Sequence, residues 1–205
     1  MKVNLFGAAG CSREVYAIAI RLGYKIISFV DREKSDDIYG IPVLTEDEYD
    51  TSLPAIIAIG NSDIREKILQ KILLKNPSTY FPVLIDPYAR ILNINTISIG
   101  QGSIIFAGTI MTCDISIGDF AHLNLNTTIG HDSKIGDFFT TAPSVNIAGN
   151  SKIGKNVYFG SGSGCKEKLN ICDYTKIGMG SVVVKDITEP GTYIGIPVNK
   201  LNKKG

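Results

Sequence analysis

Residues 99–183 read IGQGSI IFAGTI MTCDIS IGDFAH LNLNTT IGHDSK IGDFFT TAPSVN IAGNSK IGKNVY FGSGSG CKEKLN ICDYTK IGMGSV V when cut into sixes from Ile99. The first column holds Ile99, Ile105, Met111, Ile117, Leu123, Ile129, Ile135, Ile147, Ile153, Phe159, Ile171, Ile177 and Val183, and only Thr141 and Cys165 depart from large apolar residues. A period of six matches neither a helix at 3.6 residues per turn nor hairpins, which carry turn signals at wider and less regular intervals. Repeats of fixed short period are the mark of a solenoid. Six residues form one flat side and three sides one turn of eighteen, so Ile99, Ile117, Ile135, Ile153 and Ile171 are expected in one column. Glycine follows the apolar position at 100, 118, 130, 136, 154, 160 and 178, and small residues such as Ser103, Thr127, Ser151 and Ser181 lie two before the next one. Both fit tight corners.

Upstream of this register the pattern changes. From Lys2 to about Pro87 short apolar runs alternate with helical stretches, the signature of parallel β-α-β units. Strands are expected at residues 3–6, 26–30, 54–60 and 81–85. Helices are expected at residues 13–22, with Val15, Ile18, Ala19 and Leu22 inward, and after Asn61 or Ser62, with Ile64, Ile68, Ile72 and Leu73 inward. The expected architecture is a small Rossmann-like parallel sheet over residues 1–87, followed over residues 88–205 by a parallel β-helix. A short C-terminal cap from Glu189 to Leu201 covers one open end of the helix, which a stacked fold requires.

Composition narrows the function. At 205 residues, 44% apolar and 20% charged, the chain has the make-up of a cored globular protein. Its 21 basic and 20 acidic residues are spread along it, so nucleic acid and anionic membranes are not expected partners. Residues 1–7 carry no leader pattern, and Cys11, Cys113, Cys165 and Cys172 form no paired clip, which points to a cytoplasmic protein with reduced thiols and no metal site.

Further motifs refine this reading. They include Phe6-Gly7-Ala8-Ala9-Gly10 with Arg13-Glu14-Val15, Phe29-Val30-Asp31, Gly40-Ile41-Pro42-Val43-Leu44, and Ala58-Ile59-Gly60-Asn61 with Ile64-Arg65. Later in the chain stand Ile129-Gly130-His131-Asp132, Ala148-Gly149-Asn150, Val182-Val183-Val184-Lys185-Asp186-Ile187 and Gly195-Ile196-Pro197. In this order they resemble the bacterial hexapeptide-repeat nucleotide-sugar acetyltransferases, a group that includes UDP-amino-sugar N-acetyltransferases and sialic acid O-acetyltransferases. The resemblance covers essentially the whole chain. It implies a left-handed β-helix, a homotrimer with active sites between subunits, acetyl-CoA as co-substrate, and direct acetylation of a nucleotide-activated, UDP-linked amino sugar in glycan biosynthesis.

The resemblance also implies roles. Acetyl transfer needs a base near neutral pH, and His131 stands where family members carry a catalytic histidine, with Asp132 as the carboxylate that orients it. His122 has no such match and reads as structural. Asn124 matches an asparagine near the acceptor sugar, and as an asparagine at a repeat corner it equally fits a local turn. Thr140 stands where many relatives have a second histidine at the acetyl group. Gly149 presents its amide to the thioester carbonyl. Gly160, Ser161, Gly178 and Gly180 lie along the pantetheine arm, and Lys200 and Lys203 lie near its phosphates or in a solvated tail. In the first region, Gly7 and Gly10 open a helix whose amides suit a diphosphate. Asp31 ends a strand where ribose or base contacts are usual, and Gly60 and Asn61 complete the substrate loops. Ala9 and Ser12 break the dinucleotide fingerprint.

Three rivals remain at this point. One is O-acetylation of sialic acid or another glycan precursor. Another is a metal-dependent β-helix hydratase, which needs about three converging histidines, whereas this chain has two. The third is a non-catalytic trimeric scaffold with a nucleotide sensor.

Overall fold

The computed structural model describes residues 1–33 and 35–201. It divides into two compact units, Met1–Pro87 and Tyr88–Gly205.

The first unit contains β1 (Lys2–Phe6), α1 (Gly10–Arg21), β2 (Lys25–Asp31), β3 (Val43–Thr45), β4 (Ala55–Ile57) and α2 (Ser62–Lys75). The strands form a parallel sheet in the order β3-β2-β1-β4. Val3, Leu5, Phe29 and Ile56 are buried in it, as befits parallel strands covered on their faces. α1 buries Ser12, Val15, Ile18 and Ala19, while Leu22 ends the helix as its C-cap and stays exposed. In α2, Asn61 caps the first turn by accepting a hydrogen bond from Ile64 N at 3.1 Å.

Two expectations fail here. The inward face of α2 carries Arg65, Ile68 and Ile72, whereas Ile64 is exposed and Leu73 only half-buried. Residues 81–85 add no strand to the sheet. Only Leu84–Ile85 is extended, and it lies outside the four-stranded sheet; Pro82, which has no N–H, cannot continue a ladder. β3 takes an edge position instead, from a stretch noticed only as a motif.

The second unit is a parallel β-helix with three flat faces. On the first face Ile99, Ile117, Ile135, Ile153 and Ile171 are register partners in turn. The second carries Ile105 beside Leu123, and Thr141 beside Phe159, which in turn lies beside Ile177. The third stacks Ile91, Met111, Ile129, Ile147, Cys165 and Val183. Amides donate to the next coil, as Gly118 N does to Ile135 O and Gly136 N to Ile153 O, both at 2.8 Å. The two departures from the apolar column meet polar partners inside: Thr141 Oγ1 lies 2.7 Å from Thr127 Oγ1, and Cys165 Sγ lies 3.8 Å from Ser151 Oγ. Buried hydroxyls such as Thr127 and Ser151 donate to corner carbonyls three residues back, each at 2.7 Å, so their polarity is satisfied in the core.

Corners have their own period. Gly102, Gly108, Asp114, Phe120, Asn126, Asp132, Phe138, Ser144, Asn150, Asn156, Gly162, Lys168, Tyr174 and Gly180 all have φ between 54° and 72°. At the C-terminal end Gly191–Gly195 pairs with Thr175–Ile177, Val198–Lys200 folds back antiparallel on it, and Ile187 bridges Ile171. Among the described residues no helix is long and apolar enough to cross a membrane.

The glycines before the corners answer to contact rather than to φ. A Cβ at Gly118 would lie 2.6 Å from Asp137 N and 2.7 Å from Gly136 C, backbone that cannot move without opening the coil. At Gly162 the φ is +65° and a Cβ would meet nothing within 4 Å. Gly118→Ala is therefore expected to lose about 1–3 kcal/mol, and Gly162→Ala about 1–2 kcal/mol through its backbone angle. Urea unfolding of the two variants checks the order; a Gly118→Ala protein as stable as wild type would contradict the close-packed coil.

Candidate active site

The corner between the third and first faces is a column in which residue 131 stacks under 113 and over 149. His131 is exposed at this corner and its Nδ1 lies 2.7 Å from Asp132 Oδ2; their side chains are 64% and 58% exposed. Asp132 holds its place with φ at +59° and with its N–H donating to Cys113 O at 3.3 Å. A carboxylate accepting from Nδ1–H leaves Nε2 as the unprotonated nitrogen of a neutral imidazole. That Nε2 faces Gly149: a Cβ added there would sit 2.8 Å from it. The next residue ties the two coils, since Asn150 N donates to His131 O at 2.6 Å. The Gly149 N–H itself has no partner among the described residues. A base nitrogen, its orienting carboxylate and a spare amide donor thus lie side by side on one corner, the parts needed to deprotonate a nucleophile and stabilise an oxyanion.

The other expected residues lie elsewhere. Asn124, Ser161, Gly178 and Gly180 belong to the corner between the second and third faces, so the width of the third face separates them from His131. Asn124 Oδ1 accepts from Leu125 N at 2.7 Å, the local turn that its corner position allows. Thr140 is on the second face, buried, with its Oγ1 donating to Phe138 O at 3.2 Å. His122, 3% exposed, is a core residue near the Phe106 ring. Lys200 forms an ion pair with Glu189 at 2.9 Å, and Lys203 lies outside the described residues. Among the described residues no three His, Cys, Asp or Glu side chains gather as metal ligands would.

The first unit has a site of its own. The strand order reverses at β1 and β4, and the loops leaving β1, β2 and β4 surround a cavity of about 340 Å3. Gly7, Ala8, Ala9, Cys11, Asp31 and Gly60 line it. Asp31 Oδ2 accepts from Ala8 N at 2.8 Å and its Oδ1 from Arg32 N at 2.7 Å, so this carboxylate also shapes the glycine loop. Gly7, with φ at +113°, passes 3.0 Å from Ala58 O at the position of a missing Cβ, which no side chain tolerates. At Gly10 and Gly60 a Cβ would meet nothing within 4 Å, so the loops there are open. Asn61 is the α2 cap.

Sequence reading missed some members of both sites. Cys113 and Asp114 stand one coil above His131 and Asp132, which counting back eighteen residues would have found. The Cys113 thiol is held above its ordinary value by its hydrogen bond to Asp114, by burial and by the Asp114 and Asp132 charges, so it is a poor nucleophile. Arg32, Glu46 and Ile64 also border the cavity.

A small parallel sheet with an open glycine loop, followed by a parallel β-helix with His131, Asp132 and Gly149 on one corner, is an architecture that known proteins share. Residues 2–72 match the family model of the PglD N-terminal domain. The acetyltransferase domain of PglB from Neisseria gonorrhoeae is 27% identical, with 98% of this chain and 99% of that one covered and a TM-score of 0.89. WeeI from Acinetobacter baumannii is 28% identical, with coverage of 98% and 100% and a TM-score of 0.87. A perosamine N-acetyltransferase mutant from Caulobacter crescentus, solved with CoA and GDP-perosamine, shares the fold at 24% identity, coverage of 99% and 98%, and a TM-score of 0.92. Over residues 2–72 the chain is similar to the PglD N-terminal domain, and along nearly its whole length to the PglB acetyltransferase domain and WeeI.

Gly149→Ala is expected to push the imidazole off its seat without unfolding the chain. Its melting temperature should stay within a few degrees of wild type while turnover falls by about a hundredfold, the scale set by small misplacements of reacting groups. Equal turnover in Gly149→Ala and wild type would show that the contact with Nε2 is incidental.

Proposed function

We propose that the chain transfers the acetyl group of acetyl-CoA to the amino group of a nucleotide-linked sugar, by direct attack and without an acyl-enzyme. The observation that carries this reading is the His131 corner, where Nδ1 is held by Asp132, Nε2 faces Gly149, and the Gly149 N–H has no partner among the described residues. The neutral amine attacks the thioester carbonyl, His131 Nε2 takes the proton that the amine loses, and the Gly149 N–H donates to the oxyanion. Collapse expels the CoA thiolate, which recovers a proton from the imidazolium. Asp132 stabilises that imidazolium without leaving its place. Acetyl-CoA as the donor is supported by the PglB acetyltransferase domain, whose structure has also been solved with acetyl coenzyme A.

The nucleotide is assigned to the cavity of the first unit, where the α1 amides suit a diphosphate and Asp31 the ribose or base. UDP is the nucleotide that the resemblance implies, and GDP-sugars, one of which is bound in the perosamine enzyme, are tested beside it.

A trimer completes the active site in this reading. After Arg90 on its first coil, the third face presents the uncharged Ile110, Thr128, Asn146, Gly164 and Val182 outward, whereas the first carries Lys134 and Lys152 in mid-column. With the third faces around a threefold axis, the His131 corner of one copy meets the Asn124, Ser161 and Gly180 corner of the next, and the pantetheine arm lies in the seam.

Thiol release from acetyl-CoA with a panel of UDP- and GDP-amino sugars tests the reaction. His131→Ala should lose about 10²–10⁴-fold in turnover while binding acetyl-CoA as wild type does. A base-stable product identifies the amide, and a base-labile one would move the reading to an ester of a glycan hydroxyl. Absence of thiol release with every sugar would remove the proposal. For the trimer, His131→Ala and Ser161→Trp, each inactive alone, should recover activity when co-expressed; failure to complement would place both corners in separate sites.

A further inference from the structure

Arg65 is the bulkiest fully buried side chain, 0% exposed. It sits in the first turn of α2, where its backbone N–H donates to Asn61 O at 2.9 Å. The guanidinium turns back toward the end of β4, and Nη1 donates to Ile59 O at 2.7 Å and to Gly60 O at 3.3 Å. Both residues line the cavity of the first unit. Taking a cation out of water is costly. Packing does not demand one here, because Ile68 and Ile72 continue the same helix face with apolar groups.

The placement has two consequences for whatever enters the cavity. First, the carbonyl oxygens of Ile59 and Gly60 are committed to the guanidinium, so these negative ends of the backbone are drawn away from an incoming anion. Second, the charge reaches across the site. Cys11, on the cavity wall in the first turn of α1, feels Arg65: burial pushes its thiol up to about 11, Glu14 adds to the rise and Arg65 opposes it. Burial holds Arg65 itself down to about 9, and an anion in the cavity would favour its charged form. The remaining charges at the cavity are already engaged or weakly placed. Asp31 is held by two backbone amides, Glu46 is paired with Lys71 at 2.7 Å, and Arg32 lies exposed at the lip. α1 adds an N-terminus with no side-chain cap and no acidic residue in its first turn.

We propose that Arg65 is a positioning residue for an anionic ligand, its buried charge behind Ile59 and Gly60 making the cavity select a nucleoside diphosphate over the uncharged nucleoside. The inference rests on the reading of this cavity as the nucleotide subsite, and it assigns the discrimination to a side chain that touches the loop and not the ligand.

Calorimetry on the full chain with UDP, GDP, uridine and guanosine tests it. In Arg65→Gln the affinity for the diphosphates should fall about tenfold or more while nucleoside affinity changes less than twofold, and Arg65→Lys should recover part of the loss. A merely structural arginine predicts equal losses for both ligand types, and that result, or no loss at all, overturns the proposal. Wild-type protein that binds neither diphosphate would overturn the nucleotide reading of the cavity together with the inference. If Arg65→Gln does not fold, the wild type still decides the matter. At pH 9, inorganic pyrophosphate should slow iodoacetamide labelling of Cys11 and leave Cys113 unchanged, read peptide by peptide by mass spectrometry; equal Cys11 labelling with and without pyrophosphate overturns the proposal.

Discussion

The β-helix depends on the distance between one coil and the next. Neighbouring coils are joined by amide-to-carbonyl bonds of 2.8–3.3 Å at every face, and parallel strands so joined lie about 4.8 Å apart. At that spacing the backbone before a corner leaves no room for a Cβ: at Gly100, Gly118, Gly136 and Gly154 a methyl group would come within 2.7 Å of the backbone of the next coil. The glycines, the left-handed corner residue and the inward apolar residue therefore recur on one register, and an insertion anywhere would break all three. The ladder also locates the chemistry. Because each corner stacks on the one before it, His131 has Gly149 beneath it and Cys113 above it with no loop required, and a residue without a Cβ at 149 leaves the imidazole its seat there.

The first unit builds its site in another way. Three loops leaving β1, β2 and β4 approach one another, and polar side chains fix them: Asp31 to the amide of Ala8, Asn61 at the surface to the amide of Ile64, and buried Arg65 to the carbonyls of Ile59 and Gly60. A loop pinned at both ends by such bonds keeps its shape in the absence of ligand, so binding costs less ordering. Asp31 both clamps the glycine loop and lines the cavity.

What could be read from the chain follows from which constraints are local. The inward column from Ile99 to Val183 is a strict one-dimensional pattern, and its columns of Ile117, Ile135 and Ile153 emerge at the expected spacing. The corner conformation was not legible, because the same left-handed angle is adopted by residues as unlike as Gly102, Phe120, Asp132 and Lys168; the ladder imposes it and composition does not reveal it. In α2 the periodicity favoured Ile64 as a core residue, and the fold buries Arg65 instead, since hydropathy cannot anticipate a guanidinium satisfied by the carbonyls of a preceding loop. His131 and Asp132 were legible as a motif and Gly149 was implied by the resemblance, yet that Gly149 faces Nε2 becomes visible only once the coils are stacked. Thr141 and Cys165 looked like flaws in the column; each meets a hydroxyl on a neighbouring rung, Thr127 and Ser151.

A rigid prism also limits what one chain can do alone. Each corner is a convex edge, and the third face keeps the His131 corner apart from the corner that carries Ser161 and Gly180. A solenoid of unbroken register has no loop long enough to fold across a face and close over a bound thioester. Sheltering the oxyanion from water, which is what gives a single amide donor its strength, thus requires a wall from outside the coil. On the proposed reading that wall is the opposite corner of a second copy, so association of the chain and completion of its chemistry are one event.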